Sequence, residues 1–266
     1  MKRLAIFLDG SANDRDSLKS AAMIAALTGA HLDVLYPWTT ESLISALPDG
    51  SAALVDDVVG EGGQNAARNA FDDICRDVAA ARWVDVRGTM HDAIRAFGLL
   101  YDAVILERLS EEKGPHARAF NTALFETGTP VLVTPPTAPA AVGDAIAVVW
   151  TGTPQSSRAM RSALPLLRVA KRIQLLTNSS NSQADPARAL EYLRYHGVAA
   201  EHRSFDGSRL TARGRGRAII EAVRGSGADL LIMGGFGEYQ IDALFGLGRT
   251  TRKLVTAAPV PLLLQA

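Results

Sequence analysis

The stretch from Leu230 to Leu254 reads LLIMGGFGEYQIDALFGLGRTTRKL. A short apolar run breaks into Gly234, Gly235 and Gly237, and an amphipathic segment that includes Gly248 follows. This order predicts a strand, a glycine turn and a helix. Glycines at the end of a strand let backbone N–H groups approach an anion, and the start of a helix adds partial positive charge. The stretch therefore predicts a phosphate cradle, although a tight turn with nothing bound uses the same residues.

Length and composition indicate an ordinary globular protein. The chain has 266 residues, more than the usual single domain of about 100–200, which favours two modest domains. Its 47% hydrophobic and 21% charged residues are typical of soluble proteins. No apolar run approaches the roughly 18 residues that span a bilayer, and the first residues lead into a strand-like segment rather than a signal-peptide core. We expect a cytoplasmic protein that does not associate with membranes.

Cysteine and histidine usage argues against redox and metal chemistry. Cys75 is the only cysteine, which excludes an internal disulfide and any multi-cysteine zinc site. Its neighbours Ile74 and Val78 place it on a predicted helix face, so we expect a packed, inert thiol. The five histidines, at positions 31, 91, 116, 196 and 202, show no paired metal-ligand spacing. We therefore expect no metal site.

The net charge of zero hides an asymmetry between the two halves. Residues 1–142 contain 12 Lys and Arg against 19 Asp and Glu, whereas residues 143–266 contain 16 against 9. The halves could attract each other, the basic half could meet an anionic ligand, or the charges could simply be solvated. Because basic residues are not clustered with aromatic ones, we expect no nucleic-acid partner.

Strands alternate with helices along the chain, and the order repeats. The predicted strands are 3–8, 31–36, 83–86, 103–106 and 130–133, and then 145–149, 172–177, 199–204, 230–233 and 261–264. The predicted helices are 14–27, 92–100, 120–127 and 157–169, with an amphipathic helix inside 42–81 and a proline-rich linker near 135–141. The pattern predicts an α/β fold with two tandem, doubly wound, five-stranded parallel sheets, in domains 1–138 and 143–266.

These residues resemble the universal stress protein family in its tandem two-domain form. The resemblance rests on RLAIFLDGS near the start, on ADLLIMGGFGEYQIDALFGLGRTTRKL and on the closing PVPL, and it covers essentially the whole chain. It implies a nucleotide alpha-hydrolase-like, Rossmann-like fold. It also implies that the repeats pair through their last strands, within the chain or between the subunits of a dimer.

The resemblance also implies a nucleotide site that is split here between the repeats. In the family, an Asp after the first strand contacts adenosine, and Gly-x2-Gly-x9-Gly-Ser/Thr after the fourth strand holds phosphates. The first repeat keeps Asp9, but its fourth strand leads into the acidic segment 107–112, whose carboxylates would repel phosphates. We expect no ATP in this repeat and a degenerate phosphate loop.

The second repeat keeps part of the phosphate loop. Gly248 stands where the family has Ser or Thr, and Thr151 stands at the acid position. Arg249 is an added charge that we expect to pair with a phosphate. The predicted cofactor-binding residues are Gly234, Gly235, Gly237, Gly248, Arg249, Thr250 and Thr151. We predict neither catalytic nor metal-binding residues.

Three further groups have alternative interpretations. The segment 213–217 (RGRGR) is expected to be a basic loop that either contacts a triphosphate or is simply solvated. Asp9 and Ser11 are expected to cap the next helix rather than to contact a ligand. Asp14, Asp16, Asp72 and Asp73 are expected to be exposed charges on helix faces.

The resemblance thus implies a non-catalytic universal stress response protein that can bind ATP, with magnesium, in the C-terminal domain. The alternative is a nucleotide-independent interaction or scaffold protein of the stress response. Slow ATP hydrolysis is a third possibility with less support, since no general base is evident beside the cradle. The expected partners are an adenine nucleotide, other proteins, and a second copy of the chain.

Overall fold

The structure is a computed structural model, and it describes residues 1–38, 42–46, 52–56, 59–76, 78, 80–108, 115–207, 211–235 and 248–266. Alternating apolar strands and amphipathic helices fold into one ten-stranded sheet with helices on both faces, beside a separate two-stranded hairpin. No helix in these ranges is both long enough and apolar enough to cross a membrane.

The first repeat contains seven strands and four α-helices among its described residues. The strands are β1 (Arg3–Phe7), β2 (His31–Trp38), β3 (Ser42–Ala46), β4 (Ala52–Asp56), β5 (Ala81–Arg87), β6 (Ala103–Glu107) and β7 (Val131–Thr134). The helices are α1 (Asp14–Thr28), α2 (Val59–Ile74), α3 (Met90–Phe97) and α4 (Pro115–Asn121). A 3-10 turn (Gly98–Leu100) follows α3, and a π-helical turn (Thr122–Glu126) follows α4.

The second repeat contains five strands and five α-helices in its described part. The strands are β8 (Ala145–Val149), β9 (Arg172–Asn178), β10 (Glu201–Phe205), β11 (Leu230–Gly234) and β12 (Leu262–Gln265). The helices are α5 (Pro154–Ser162), α6 (Leu164–Leu167), α7 (Pro186–Tyr195), α8 (Ala212–Ser226) and α9 (Arg249–Ala257).

The strand order shows two copies of one doubly wound sheet. The sheet runs β10-β9-β8-β11-β12-β7-β6-β1-β2-β5, and all pairs within a repeat are parallel. The repeats meet where β12 pairs with β7 in antiparallel register, with Leu263 opposite Leu132. The predicted tandem fold and the pairing through last strands are confirmed. Because the junction is antiparallel, the carboxyl ends of the two sets of parallel strands lie at opposite edges of the sheet.

Two apolar clusters hold the helices to the sheet. One cluster packs α1, α2, α5, α6 and α7 on one face, with Leu18, Leu166 and Leu193 fully buried. The other packs α3, α4, α8 and α9 on the opposite face, with Ile94, Phe120 and Leu254 among its buried members. Burial of these side chains supplies the main favourable contribution to folding.

The structure differs from the sequence-based prediction in three elements. Strands β3 and β4 form an antiparallel hairpin inside a region where only a helix was expected. Helix α4 begins five residues before the predicted start at residue 120. The predicted domain division between 138 and 143 remains a prediction, since the strands on both sides belong to one sheet.

The third difference concerns the basic segment 213–217, which was predicted to be a loop and lies in the first turns of α8. The Thr211 side chain caps this helix by accepting a hydrogen bond from the Gly214 N–H at 3.1 Å. A Cβ on Gly216 would lie 2.9 Å from the Lys253 Cβ, so this glycine lets α9 pack closely. The loop prediction was wrong because capping and helix packing outweigh the low helix propensity of two glycines.

Candidate functional site

The glycine turn after β11 lies directly against the start of α5. A Cβ on Gly234 would come within 2.5 Å of the Ser156 backbone nitrogen and 2.6 Å of the Gln155 carbonyl carbon. The Gly235 N–H donates to the Gln265 carbonyl at 2.8 Å. Gly234 is therefore needed for close backbone packing, and the N–H of Gly235 is engaged within the chain. The predicted cradle residue Gly237 lies outside the described residues.

The N-cap of helix α9 is Gly248, which is buried. Arg249 follows in an exposed position. The Thr250 hydroxyl donates to the Ala212 carbonyl at 2.8 Å and so ties the start of α9 to the start of α8. Neither helix has an acidic residue in its first turn. Two adjacent helix starts without acids favour a nearby anion.

The turn after β8 carries Thr151 and is covered by the segment that leads into α7. The Thr151 hydroxyl lies 2.9 Å from the Thr153 hydroxyl, and the Thr151 carbonyl accepts from the Asn181 side-chain amide at 3.0 Å. Gly152 has a φ of +74°, and a Cβ there would lie 2.2 Å from the Gln183 carbonyl oxygen. Thr151, which the resemblance places at the adenosine contact, therefore makes its hydrogen bonds within the protein.

The equivalent turn after β1 is closed by α2. Gly10 has a φ of +83°, and a Cβ there would lie 2.7 Å from the Cα of Gly63. One Asp9 oxygen accepts from the Ser11 N–H at 2.9 Å, and the other lies 3.1 Å from Nε2 of His116 on α4. The acid that matches the family pattern is thus present but is bound by groups of the chain itself.

The predicted capping role of Asp9 was wrong. The N-cap of α1 is Asn13, which makes no side-chain cap hydrogen bond. Its side-chain amide donates to Glu107 at 2.5 Å instead, and its N–H donates to the Ser11 hydroxyl at 3.3 Å. Ser11 therefore supports the turn just before the helix, whereas the Asp9 carboxylate is held by the Ser11 N–H and by His116.

Asp14 is buried under this turn, which corrects the expectation of an exposed charge. Its two oxygens accept from the Gly10 N–H at 2.8 Å and the Asp9 N–H at 3.3 Å. Burial, together with the nearby Asp9 carboxylate, raises the pKa of Asp14 to about 7. Asp72 and Asp73 are exposed as expected.

The pKa values of the other titratable groups in this crevice are also shifted by burial and by hydrogen bonds. Burial opposes ionisation of Asp9, but the hydrogen bonds from His116 and Ser11 outweigh it and lower its pKa to about 2. The hydrogen bond to Asp9 raises the pKa of His116, against the effect of burial. Burial raises the pKa of Glu107, while its hydrogen bond from Asn13 opposes the change. The crevice of the first repeat is an acidic cluster with one imidazole.

Part of this cluster could be anticipated from the sequence, because Asp9 follows the first predicted strand and Glu107 follows the fourth. The structure shows that these strands, β1 and β6, are neighbours in the sheet. His116 could not be placed in the same way, because its position depends on the path of the chain between β6 and α4. Asp14 was misjudged because its place at the start of an amphipathic helix is also typical of an exposed N-terminal charge.

The described part of the chain offers little support for a metal site or for a reactive cysteine. No group of three His, Cys, Asp or Glu side chains there is arranged to hold a metal ion. Cys75 is buried as predicted, and burial raises the pKa of its thiol to about 11, which suppresses the reactive thiolate.

Several solved structures have a fold similar to that of this chain. A universal stress protein from Archaeoglobus fulgidus DSM 4304 superposes with a TM-score of 0.69 at 14% identity, over 99% of this chain and 95% of that chain. A functionally unknown protein from Pseudomonas aeruginosa PAO1 gives 0.64 at 12% identity, over 100% and 92%. The cytoplasmic domain of a prokaryotic cation chloride cotransporter gives 0.54 at 10% identity, over 99% and 94%.

Sequence comparisons add nothing to this likeness, since neither family models nor curated proteins match the chain. At such low identity the structural match concerns the fold, and folds of this kind serve several functions. Together with the strand order and the antiparallel junction, the match over nearly the whole chain confirms the predicted resemblance at the level of the fold, which is that of a tandem universal stress protein.

Proposed function

We propose that this chain is a non-catalytic protein of the universal stress type that acts through its protein surfaces without needing a nucleotide. The observation that carries the proposal is that, in both repeats, the backbone of a distant segment packs directly on the turn after the first strand. Gly10 lies against Gly63 in the first repeat, and Gly152 lies against Gln183 in the second. A ligand in the family manner would have to displace these contacts.

The side chains of the crevices support the same conclusion. In the first repeat, Asp9 is paired with His116, and Glu107 adds negative charge where phosphates would lie. In the second repeat, the Gly235 N–H and the Thr250 hydroxyl already have acceptors within the chain. These contacts engage groups that the family pattern would use for an adenine nucleotide, and they therefore support a function that needs none.

A second candidate is ATP binding in the C-terminal repeat, and one observation favours it. Helices α8 and α9 begin side by side without first-turn acids, and the exposed residues there include Arg213 and Arg249. Phosphate groups would find a favourable potential at this place. Under this candidate, Gly248, Arg249 and Thr250 meet the phosphates.

Calorimetric titration of ATP into the full chain, with and without magnesium, separates the two candidates. We expect no saturable binding at millimolar ATP. Saturable binding that Arg249→Ala weakens, while Arg224→Ala at the far end of α8 leaves it unchanged, would establish the second candidate instead. The same samples test the absence of catalysis, since turnover above a buffer blank would contradict it.

The oligomeric state belongs to the same proposal. The last strands of the two repeats already pair with each other through β7 and β12. A dimer would therefore have to use another surface, which we propose as the route to a second copy or to other proteins in the stress response. Analytical ultracentrifugation across a range of protein concentrations tests whether the chain self-associates.

A further inference from the structure

The crevice of the first repeat holds four titratable side chains that the proposed function does not use. Three are the carboxylates of Asp9, Asp14 and Glu107, and the fourth is the imidazole of His116 on α4. His116 Nε2 lies 3.1 Å from an Asp9 oxygen, so an ion pair joins α4 to the turn after β1. The helix and the turn are far apart in sequence, and this contact is a direct link between them.

The acids face His116 from two sides. Asp9 and Asp14 come from the turn after β1 and the start of α1, and Glu107 comes from the end of β6. All three carboxylates contribute to the electrostatic potential at His116. Asn13 and Ser11 hold Glu107 in place, at 2.5 Å and 3.5 Å.

The remaining neighbours do not supply a second cation within the described residues. Helix α3 contributes the apolar Met90 to this region, while its His91 lies 2.6 Å from the Thr122 hydroxyl. Arg108, next in sequence to Glu107, donates to the Ala258 carbonyl at the junction with the second repeat. His116 is thus the group whose protonation balances the acids.

The Asp9 side chain is 21% exposed and lies beside apolar walls, whereas the His116 side chain is 54% exposed, so screening is reduced on the Asp9 side of the pair. A cavity of about 20 Å³, large enough for about one water molecule, borders the cluster. Besides the titratable groups, its walls are apolar and consist of Phe7, Met90, Leu106, Ala119 and Phe120. Charges beside such walls are screened less than charges in water.

We propose that this cluster is a proton-operated latch, in which protonated His116 holds the start of α4 against the sheet edge through Asp9, and loss of protons releases it. In the closed state His116 carries a positive charge and Asp14 is neutral. In the open state three carboxylates face one another with a neutral imidazole among them, so repulsion replaces attraction.

The direction of the response follows from the acid–base behaviour of the groups. Both His116 and Asp14 have a raised pKa in the folded chain, and the pKa of Asp14 is about 7. A group of this kind stabilises the folded arrangement below its ordinary pKa and loses that effect as the pH rises through its folded pKa. The latch is therefore closed in mildly acidic solution and opens above neutral pH.

Hydrogen exchange of the full chain tests the latch. At about pH 6 and about pH 9, on either side of the range in which histidine titrates, exchange of peptides that cover residues 115–121 is measured and corrected for intrinsic rates. We expect about tenfold faster corrected exchange at the higher pH, because the attraction between His116 and Asp9 is lost. Equal exchange at the two pH values would overturn the proposal.

Two variants separate the latch from a general effect of pH. His116→Gln cannot carry the charge, so its α4 peptides should exchange fast at both pH values, whereas His91→Gln should keep the response. A pH response that survives in His116→Gln would overturn the proposal. NMR titration of the wild-type His116 ring gives an independent check that needs no variant. A pKa at or below the ordinary value of histidine would contradict the ion pair.

Discussion

The turn after the first strand is built on the same backbone in both repeats and carries different chemistry. Gly10 and Gly152 occupy matching positions with φ values of +83° and +74°, and each lies against the backbone of a distant segment, within α2 for Gly10 and just before α7 for Gly152. Such a φ favours glycine, and the close contact excludes a side chain. Both repeats thus use a glycine that is packed against distant backbone to fix the conformation of this turn.

The side chains around this shared backbone have diverged. In the first repeat the turn carries Asp9 beside the buried Asp14, and His116 supplies the opposite charge. In the second repeat Thr151 stands where the first has Asp9, Thr153 where it has Ser11, and Ser156 where it has Asp14, and the hydroxyls of Thr151 and Thr153 bond to each other. Packing therefore constrains the turn in both repeats, whereas a charged side chain such as Asp9 is not needed to form it.

Substitution of the shared glycine is expected to have the largest effect, because it tests whether packing fixes the turn in both repeats. Gly152→Ala forces a side chain into a φ of +74°, with its Cβ 2.2 Å from the Gln183 carbonyl oxygen. Adding about 1–2 kcal/mol for the dihedral angle to about 1–3 kcal/mol for overpacking, we expect a loss of about 2–5 kcal/mol in the free energy of unfolding. Urea denaturation measures this loss.

Gly197→Ala is the matched control for this substitution. Gly197 has the same φ of +74°, but nothing lies within 4 Å of the position of its Cβ. We expect only the dihedral cost of about 1–2 kcal/mol. Equal losses in the two variants would show that the segment over Gly152 yields easily, and closure of the second crevice would then be a weak argument against a nucleotide.

The second prediction asks whether the glycines after β11 serve packing or a phosphate. A Cβ on Gly234 would meet the α5 backbone at 2.5 Å, whereas the nearest atom to a Cβ on Gly235 is 3.6 Å away. We expect Gly234→Ala to lower the free energy of unfolding by about 1–3 kcal/mol. Gly235→Ala should change it by less than about 1 kcal/mol, and the opposite ranking in thermal or urea unfolding would count against the packing role.

These contrasts also show what the sequence could reveal. Apolar runs and helix periodicities predicted the five sheet strands of each repeat, because these patterns are local in sequence, whereas the β3–β4 hairpin was not predicted. The conformation of Gly10 and Gly152 was readable as a turn, yet the partners Gly63 and Gln183 were not. A close approach between distant segments depends on packing, which no local pattern encodes.

The site was less predictable than the fold for the same reason. Thr151 and Gly234 lie at the carboxyl ends of β8 and β11, and Thr250 lies at the start of α9. Their hydrogen-bond and packing partners come from the segment before α7, from α5 and from α8. Residues 213–217 were predicted to form a loop because glycine has a low helix propensity, and the packing of Gly216 against α9 is not visible in the local sequence. A resemblance to a family pattern supplies positions, and only the folded chain supplies their neighbours.

The third prediction concerns the pH dependence of the free energy of unfolding, to which the buried Asp14 of the first repeat contributes. The folded pKa of Asp14 is raised to about 7, mainly by burial, from an ordinary value of 3.8. Its contribution to stability is therefore present below about pH 4 and is lost as the pH rises through 7. We expect the free energy of unfolding to fall by at least about 1 kcal/mol, the equivalent of one pKa unit, between mildly acidic and alkaline solution.

Asp14→Asn provides the test of this assignment. The amide oxygen can still accept from the Gly10 N–H, and the side chain stays neutral at every pH. Urea unfolding of this variant should therefore depend less on pH than that of the wild type. An unchanged slope would assign the pH dependence to other groups. At the acid limit, Asp9 acts in the opposite direction, since its lowered pKa stabilises the fold only while it remains ionised.

The smallest effect concerns the helices that follow the two turns. Thr153 caps α5 in a capping box, in which its side chain accepts from the Ser156 N–H and the Ser156 side chain accepts from the Thr153 N–H. Asn13 stands at the matching end of α1 and makes no cap hydrogen bond. We expect Thr153→Ala to cost about 1 kcal/mol through the lost cap, and Asn13→Ala to cost less, because it loses a hydrogen bond to Glu107 but no cap.

Comparison of the two variants by urea denaturation tells whether capping has diverged between the repeats together with charge. In the first repeat the backbone groups before α1 are satisfied by Asp14 and by the Ser11 hydroxyl, so Asn13 is available to hold Glu107. Equal losses in both variants would mean that Asn13 caps α1 in solution. The acidic cluster would then be separate from the helix start, since Glu107 would lose its partner whenever the cap forms.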